Sequence, residues 1–221
     1  MSSPRRDFLS WLGASGVYAA AGVPLPARTP VRGLIPVDDA WDMSWTDRVK
    51  GKHRAVFDSP QISDGAGLFR AILWQKDHAT VYQTPASDIT SVLVLRHEAI
   101  PLVMSDAYWA TYGVGKSLKL KDDGTKKWRT TNPVASAAPG TPPQFVDYTL
   151  DKFIAGGNIV LACNLAFGGI VSNIQTHDKL PAADARKRAL SLMVKGVILQ
   201  PSGGFAVLRA QEAGCNYLFA S

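Results

Sequence analysis

A chain of 221 residues, 46% hydrophobic and 19% charged, has the length for one globular core and is too apolar for an unfolded polyelectrolyte. The net charge of +6 is concentrated in residues 115–129 (GKSLKLKDDGTKKWR), where six Lys or Arg face two Asp, and the rest is close to neutral. That distribution argues against a nucleic-acid binder, which carries its basic residues along a face of its folded elements.

The N-terminus reads as an address rather than as fold. Ser3-Pro4-Arg5-Arg6-Asp7-Phe8-Leu9 resembles a twin-arginine pattern, and an apolar run rich in Gly and Ala follows from Trp11 to Val23. The run is too short for a comfortable membrane span. Small residues at Ala19-Ala20-Ala21 and Leu25-Pro26-Ala27 offer cleavage points. Residues 1–27 are therefore expected to be a Tat-type signal peptide, which places the mature protein in the periplasm with no stable transmembrane span. Retention of the signal as a membrane anchor is the other reading. Residues 28–52 read as a linker or N-terminal arm.

The folded part is expected over 53–221. Arg54–Phe57 reads as a first strand, ended by Asp58-Ser59-Pro60. Ser63 or Asp64 is placed to cap a helix running to about Asp77, with Leu68, Ile72 and Leu73 on one face. Ser91 to His97 is a continuous apolar strand of the kind covered on both faces. Ser105 or Asp106 opens a short helix through Tyr112. A basic, Pro-rich insertion at about 115–143 reads as a long surface loop. Phe145 to Ala155 is helical and stops at Gly156-Gly157. A strand at Asn158–Ala162 then leads into a helix over about 164–176. Asp184–Lys195 is an amphipathic helix, Gly196–Leu199 a short strand, Phe205–Ala213 a helix and Asn216–Ala220 a last strand. Strands alternating with helices predict an α/β fold: a three-layer α/β/α sandwich around a mostly parallel sheet of about five strands, flavodoxin-like.

Candidate chemistry gathers where strands end and helices begin. Cys163 follows an apolar strand and precedes a helix, at the sheet edge where ligands collect and where a helix dipole favours a thiolate. The competing reading is a small buried hydrophobe. His97 ends the second strand and is the first candidate to assist proton transfer at Cys163; a structural histidine bonded to a carbonyl is the alternative. Asn164 either caps the following helix or donates to a bound anion. Ser202, Gly203 and Gly204 form a strand-to-helix turn whose N–H groups can hold an anion, or simply a tight turn. Asp58 and Asp64 flank another such edge, where turns and caps explain them more simply. Cys163 should end one strand and Cys215 begin another. In a parallel sheet that separates them by about five residues of roughly 3.3 Å each, beyond the reach of about 7 Å of a disulfide, so two free thiols are expected. His53, His78, His97 and His177 are scattered without metal-ligand spacing, so no metal is expected. No motif for a cofactor is present.

The stretches Val92-Leu-Val-Leu-Arg-His-Glu-Ala-Ile-Pro101, Asn158-Ile-Val-Leu-Ala-Cys163-Asn-Leu and Val197 to Cys215 together resemble the DsrE/DsrF-like sulfur-relay family, over roughly residues 53–221. The resemblance implies that Cys163 carries a persulfide and exchanges sulfane sulfur with a protein partner. It also implies a homo-oligomer. The twin-arginine start implies an exported subgroup. The alternative is a non-catalytic periplasmic binding or assembly protein that uses the same fold as a scaffold.

Overall fold

In a computed structural model, which describes residues 41–122, 124–138 and 141–221, the apolar segments become five strands. These are β1 (His53–Ser59), β2 (Ile89–Leu95), β3 (Ile159–Cys163), β4 (Ile198–Gln200) and β5 (Asn216–Phe219). The expected signal, residues 1–27, and the arm before residue 41 lie outside the described residues. Every pairing is parallel, and the order across the sheet is β4-β3-β2-β1-β5. β2 shows why the central strands hold: ITSVLVL is β-branched or Leu on both faces, and six of its seven residues are buried.

Seven α-helices among the described residues connect the strands: α1 (Ala66–Tyr82), α2 (Asp106–Thr111), α3 (Val114–Ser117), α4 (Leu150–Ala155), α5 (Asn164–Asp178), α6 (Ala182–Ser191) and α7 (Gly203–Glu212). The first four strands wind in one direction, and right-handed crossovers then put their helices on one side of the sheet. There Leu68 and Ile72 of α1, Trp109 of α2 and Phe167 and Ile170 of α5 pack on Phe57, Leu93, Leu95 and Val160. The step from β4 back to β5 reverses direction, so α7 falls on the other side. Ala206, Val207 and Ala210 cover Val56, Val94 and Leu161 there, together with Trp45 and Val49 from the segment before β1. The result is the expected three-layer α/β/α, flavodoxin-like architecture, with one helical layer far thinner than the other.

Two local expectations change. Neither Ser63 nor Asp64 caps α1. Ser63, Asp64 and Gly65 all take left-handed backbone (φ 33°, 49° and 85°) in a 3-10 turn, and that geometry leaves no side chain aimed at the helix. Gly65 is required there: a Cβ would lie 2.2 Å from Val134 Cγ1.

The insertion at about 115–143 is not only a surface loop. Lys121 and Trp128 form an antiparallel bridge. Asn132 is buried, and its Nδ2 donates to Leu102 O (2.7 Å) and Met104 O (2.6 Å) while its Oδ1 accepts from Val134 N (3.0 Å). These bonds fasten the segment to the 3-10 stretch His97–Val103 that follows β2. Among the described residues no helix is long and apolar enough to cross a membrane.

Candidate functional site

Ligands of open α/β sheets lie outside the carboxyl ends of the strands, where neighbouring connections leave to opposite faces. Here that place is between β3 and β4. β3 runs into α5 on the thick layer, and β4 runs into α7 on the thin one. Cys163 and Gln200 face each other in register across this gap. Cys163 is itself the N-cap of the 15-residue α5, so the thiol sits at the positive end of that helix's dipole.

The strand period decides which neighbours the sulfur meets. Ile159, Leu161 and Cys163 point to the thin layer, as do Val92, Val94 and Arg96, and Val56 and Asp58. Arg96 therefore lies close enough to Cys163 for their charges to interact. Its guanidinium is clamped by Asp58, with Nε to Oδ1 at 2.6 Å and Nη2 to Oδ2 at 2.9 Å, the bidentate form that fixes a guanidinium plane. Tyr217 Oη donates to the same Oδ2 at 3.0 Å. The hydrogen bond to Asp58 raises Arg96 further above its already high value, so the cation is permanent. Burial, and then the Asp58 acceptor, push the Tyr217 phenol up and keep it a donor.

Gly203 completes this wall. A Cβ there would stand 2.5 Å from Arg96 Cδ and 2.6 Å from its Cβ, so glycine is what lets α7 start directly over the arginine. Gly204 faces open space. Ser202 is the N-cap of α7: its Oγ accepts from Phe205 N at 3.1 Å, which is the structural reading of that residue.

Asn164 does not cap α5. It is 1% exposed, and its Oδ1 accepts from Arg186 Nη2 at 3.0 Å. Its Nδ2 is buried with no partner among the described residues. Gln200 is the mirror case: Nε2 donates to Asp42 O (2.9 Å) and Leu199 O (3.0 Å), while Oε1 is buried and unpaired. Each orphaned polar atom costs on the order of 1–3 kcal/mol, and Gln200, in register with Cys163, brings one of them to the end of that strand.

His97 belongs to a different set of neighbours. It follows Arg96 with left-handed backbone (φ 48°), which turns the chain out of the strand. Its side chain lines a separate cavity with Tyr108, Gly169 and Asn173, on the α5 side of the sheet. The charged neighbour of Cys163 is thus Arg96, one residue earlier. The alternation of Val92, Val94 and Arg96 already carried that signal.

Both cysteines are free and buried. Burial pushes the Cys215 thiol up to about 11. No cluster of three metal-ligating side chains exists among the described residues. Compared with protein-family models, with curated proteins and with solved structures, the chain matches none.

Proposed function

We propose that this chain is an exported, DsrE-like sulfur-handling protein in which Cys163 accepts and passes on a sulfane sulfur. The observation that carries the reading is the placement of Cys163 at the sheet's switch point, at the head of α5 and beside the clamped Arg96 guanidinium. In the proposed step the Cys163 thiolate attacks a sulfur of a polysulfide. One S–S bond forms at Cys163 and one breaks in the donor. The departing, shorter polysulfide carries away the electron pair and takes up a proton from water. Arg96 faces the persulfide anion left behind. The residues 1–27, with their twin-arginine pattern, support export by the Tat route.

The test is the mass of the native protein after polysulfide treatment, read peptide by peptide. Gain of one sulfur atom at Cys163, absent from Cys163→Ser and absent at Cys215, supports the reading. A Cys163 that alkylates and gains sulfur only after unfolding overturns it.

A second reading, assembly rather than chemistry, draws on a different observation. The thin layer leaves Leu208 of α7 61% exposed, and Tyr217 and Phe219 of β5 47% and 53% exposed. Among the described residues β5 also ends the sheet, and its outer backbone edge has no partner strand there. Such a surface suits a second copy of the chain, in line with the homo-oligomer that the family resemblance implies.

A further inference from the structure

The cavity that receives His97 has a chemistry of its own. It measures about 370 Å³ and lies between α5 and the segment from His97 to Leu118. Its size falls in the range of small-molecule sites. It opens at the carboxyl edge of the sheet on the α5 face.

The walls are mainly apolar, with Ile100, Leu118 and Ile170 among them. Tyr108 and Tyr112 give an aromatic side, their rings 4.8 Å apart and tilted by 33°. Polar groups are few. The Tyr112 hydroxyl is committed, donating to Asp178 Oδ2 (2.7 Å) and accepting from Arg188 Nε (2.9 Å). The Tyr108 hydroxyl is not: it accepts from Asn173 Nδ2 at 3.0 Å, and its own proton has no acceptor among the described residues. Burial raises that phenol above its ordinary value, so it remains a donor. Glu98 is exposed and is the one carboxylate side chain in the wall. α5 also keeps a glycine facing the space. Nothing lies within 4 Å of where a Gly169 Cβ would stand, although glycine inside a helix costs about 1 kcal/mol relative to alanine.

We propose that this cavity binds a small aromatic amine: a flat ring against Tyr108 and Tyr112, an oxygen accepting from the Tyr108 hydroxyl, and an ammonium group answering Glu98. The charge of Glu98 sets the sign of the ligand, and the unsatisfied phenol sets its acceptor. The proposal does not depend on sulfur chemistry at Cys163. Another cavity, of about 380 Å³, carries no such assignment. It sits at the amino edge of the sheet, and its Arg48 already donates to Gly157 O and Asn158 O at the end of α4.

Calorimetric titration of the full chain with tyramine tests this, with phenethylamine and hydroxyphenylpropionate as comparisons. The expected result is saturable tyramine binding with a Kd on the order of a millimolar or below, several-fold weaker binding of phenethylamine, and none of the acid. Gly169→Leu fills the space from a position that has room for it and improves helix propensity. It should abolish binding while the melting temperature holds or rises. Glu98→Gln should weaken tyramine about fivefold or more and leave ethylphenol binding unchanged. Absence of saturable tyramine binding, tyramine binding that survives Gly169→Leu, or a preference for the acid overturns the proposal.

Discussion

Arg96 is the residue on which the candidate site turns, because it joins the acid of β1, the last strand and the thiol of β3. Replacing it by methionine keeps much of its apolar stem and removes the cation. Arg96→Met is expected to slow iodoacetamide labelling of Cys163 by about tenfold, measured peptide by peptide at fixed pH, with Cys215 unchanged. Arg96→Lys should fail to restore the rate, since an ammonium cannot make the paired contact with Asp58. Unaltered labelling in both variants would show that the guanidinium does not act on the sulfur.

Cys215 supplies an independent check through pH. Its thiol is held up to about 11 in the fold against an ordinary value of 9.0. The folded state therefore keeps that proton where the unfolded chain releases it. The stability this lends is complete below about 9 and is lost as pH rises toward about 11. The denaturant midpoint should fall across that window. The fall should be smaller in Cys215→Ala, with the remainder carried by tyrosines such as Tyr217, whose phenol is also raised.

At the scale of elements, the central strands were legible because each is a short apolar run bounded by turn residues, and burial on both faces demands that composition, whereas β5 is exposed along its length. The observed ends fall within a few residues of the expected ones: Ser91–His97 became Ile89–Leu95, and Gly196–Leu199 became Ile198–Gln200. The segment after α3 was not legible in the same way. Asn132 is polar, flanked by Thr131 and Pro133, and reads as loop. Its role comes from carbonyls at Leu102 and Met104 that only the fold brings near. Asn132→Ala removes those donors and leaves both carbonyls unpaired. The expected cost is about 2–3 kcal/mol, read from the urea midpoint at unchanged slope. Gly203→Ala tests the other close approach. Its Cβ would meet the Arg96 stem, and a cost of about 1–3 kcal/mol is expected, together with slower Cys163 labelling. A neutral Gly203→Ala would mean that Arg96 shifts freely. His97 and Arg96 were separable only in part: strand period assigns Arg96 to the face of Cys163, but no sequence signal foretells the left-handed turn at His97 or the cavity its side chain lines.

For the whole molecule, the uneven layers are the main consequence of winding four strands one way and the fifth the other. The exposed side chains of α7 and β5 predict self-association, and Leu208→Asp should shift the sedimentation coefficient toward that of a monomer of 23.8 kDa. A wild-type chain that already sediments as a monomer at micromolar concentration would rule that assembly out. The same winding fixes an order of events during synthesis. Among the described strands β1 leaves the ribosome first, yet one of its edges waits for β5, which leaves last. Asp58, near the end of β1, can clamp Arg96 early, but it receives Tyr217 Oη and the Ala220 N–H only when β5 and the residue after it arrive. The setting of Cys163 is therefore finished by β5. A nascent chain stalled before residue 216 has its thiol in place without the strand that locks the neighbouring cation, so the site matures only after every other described strand has been made.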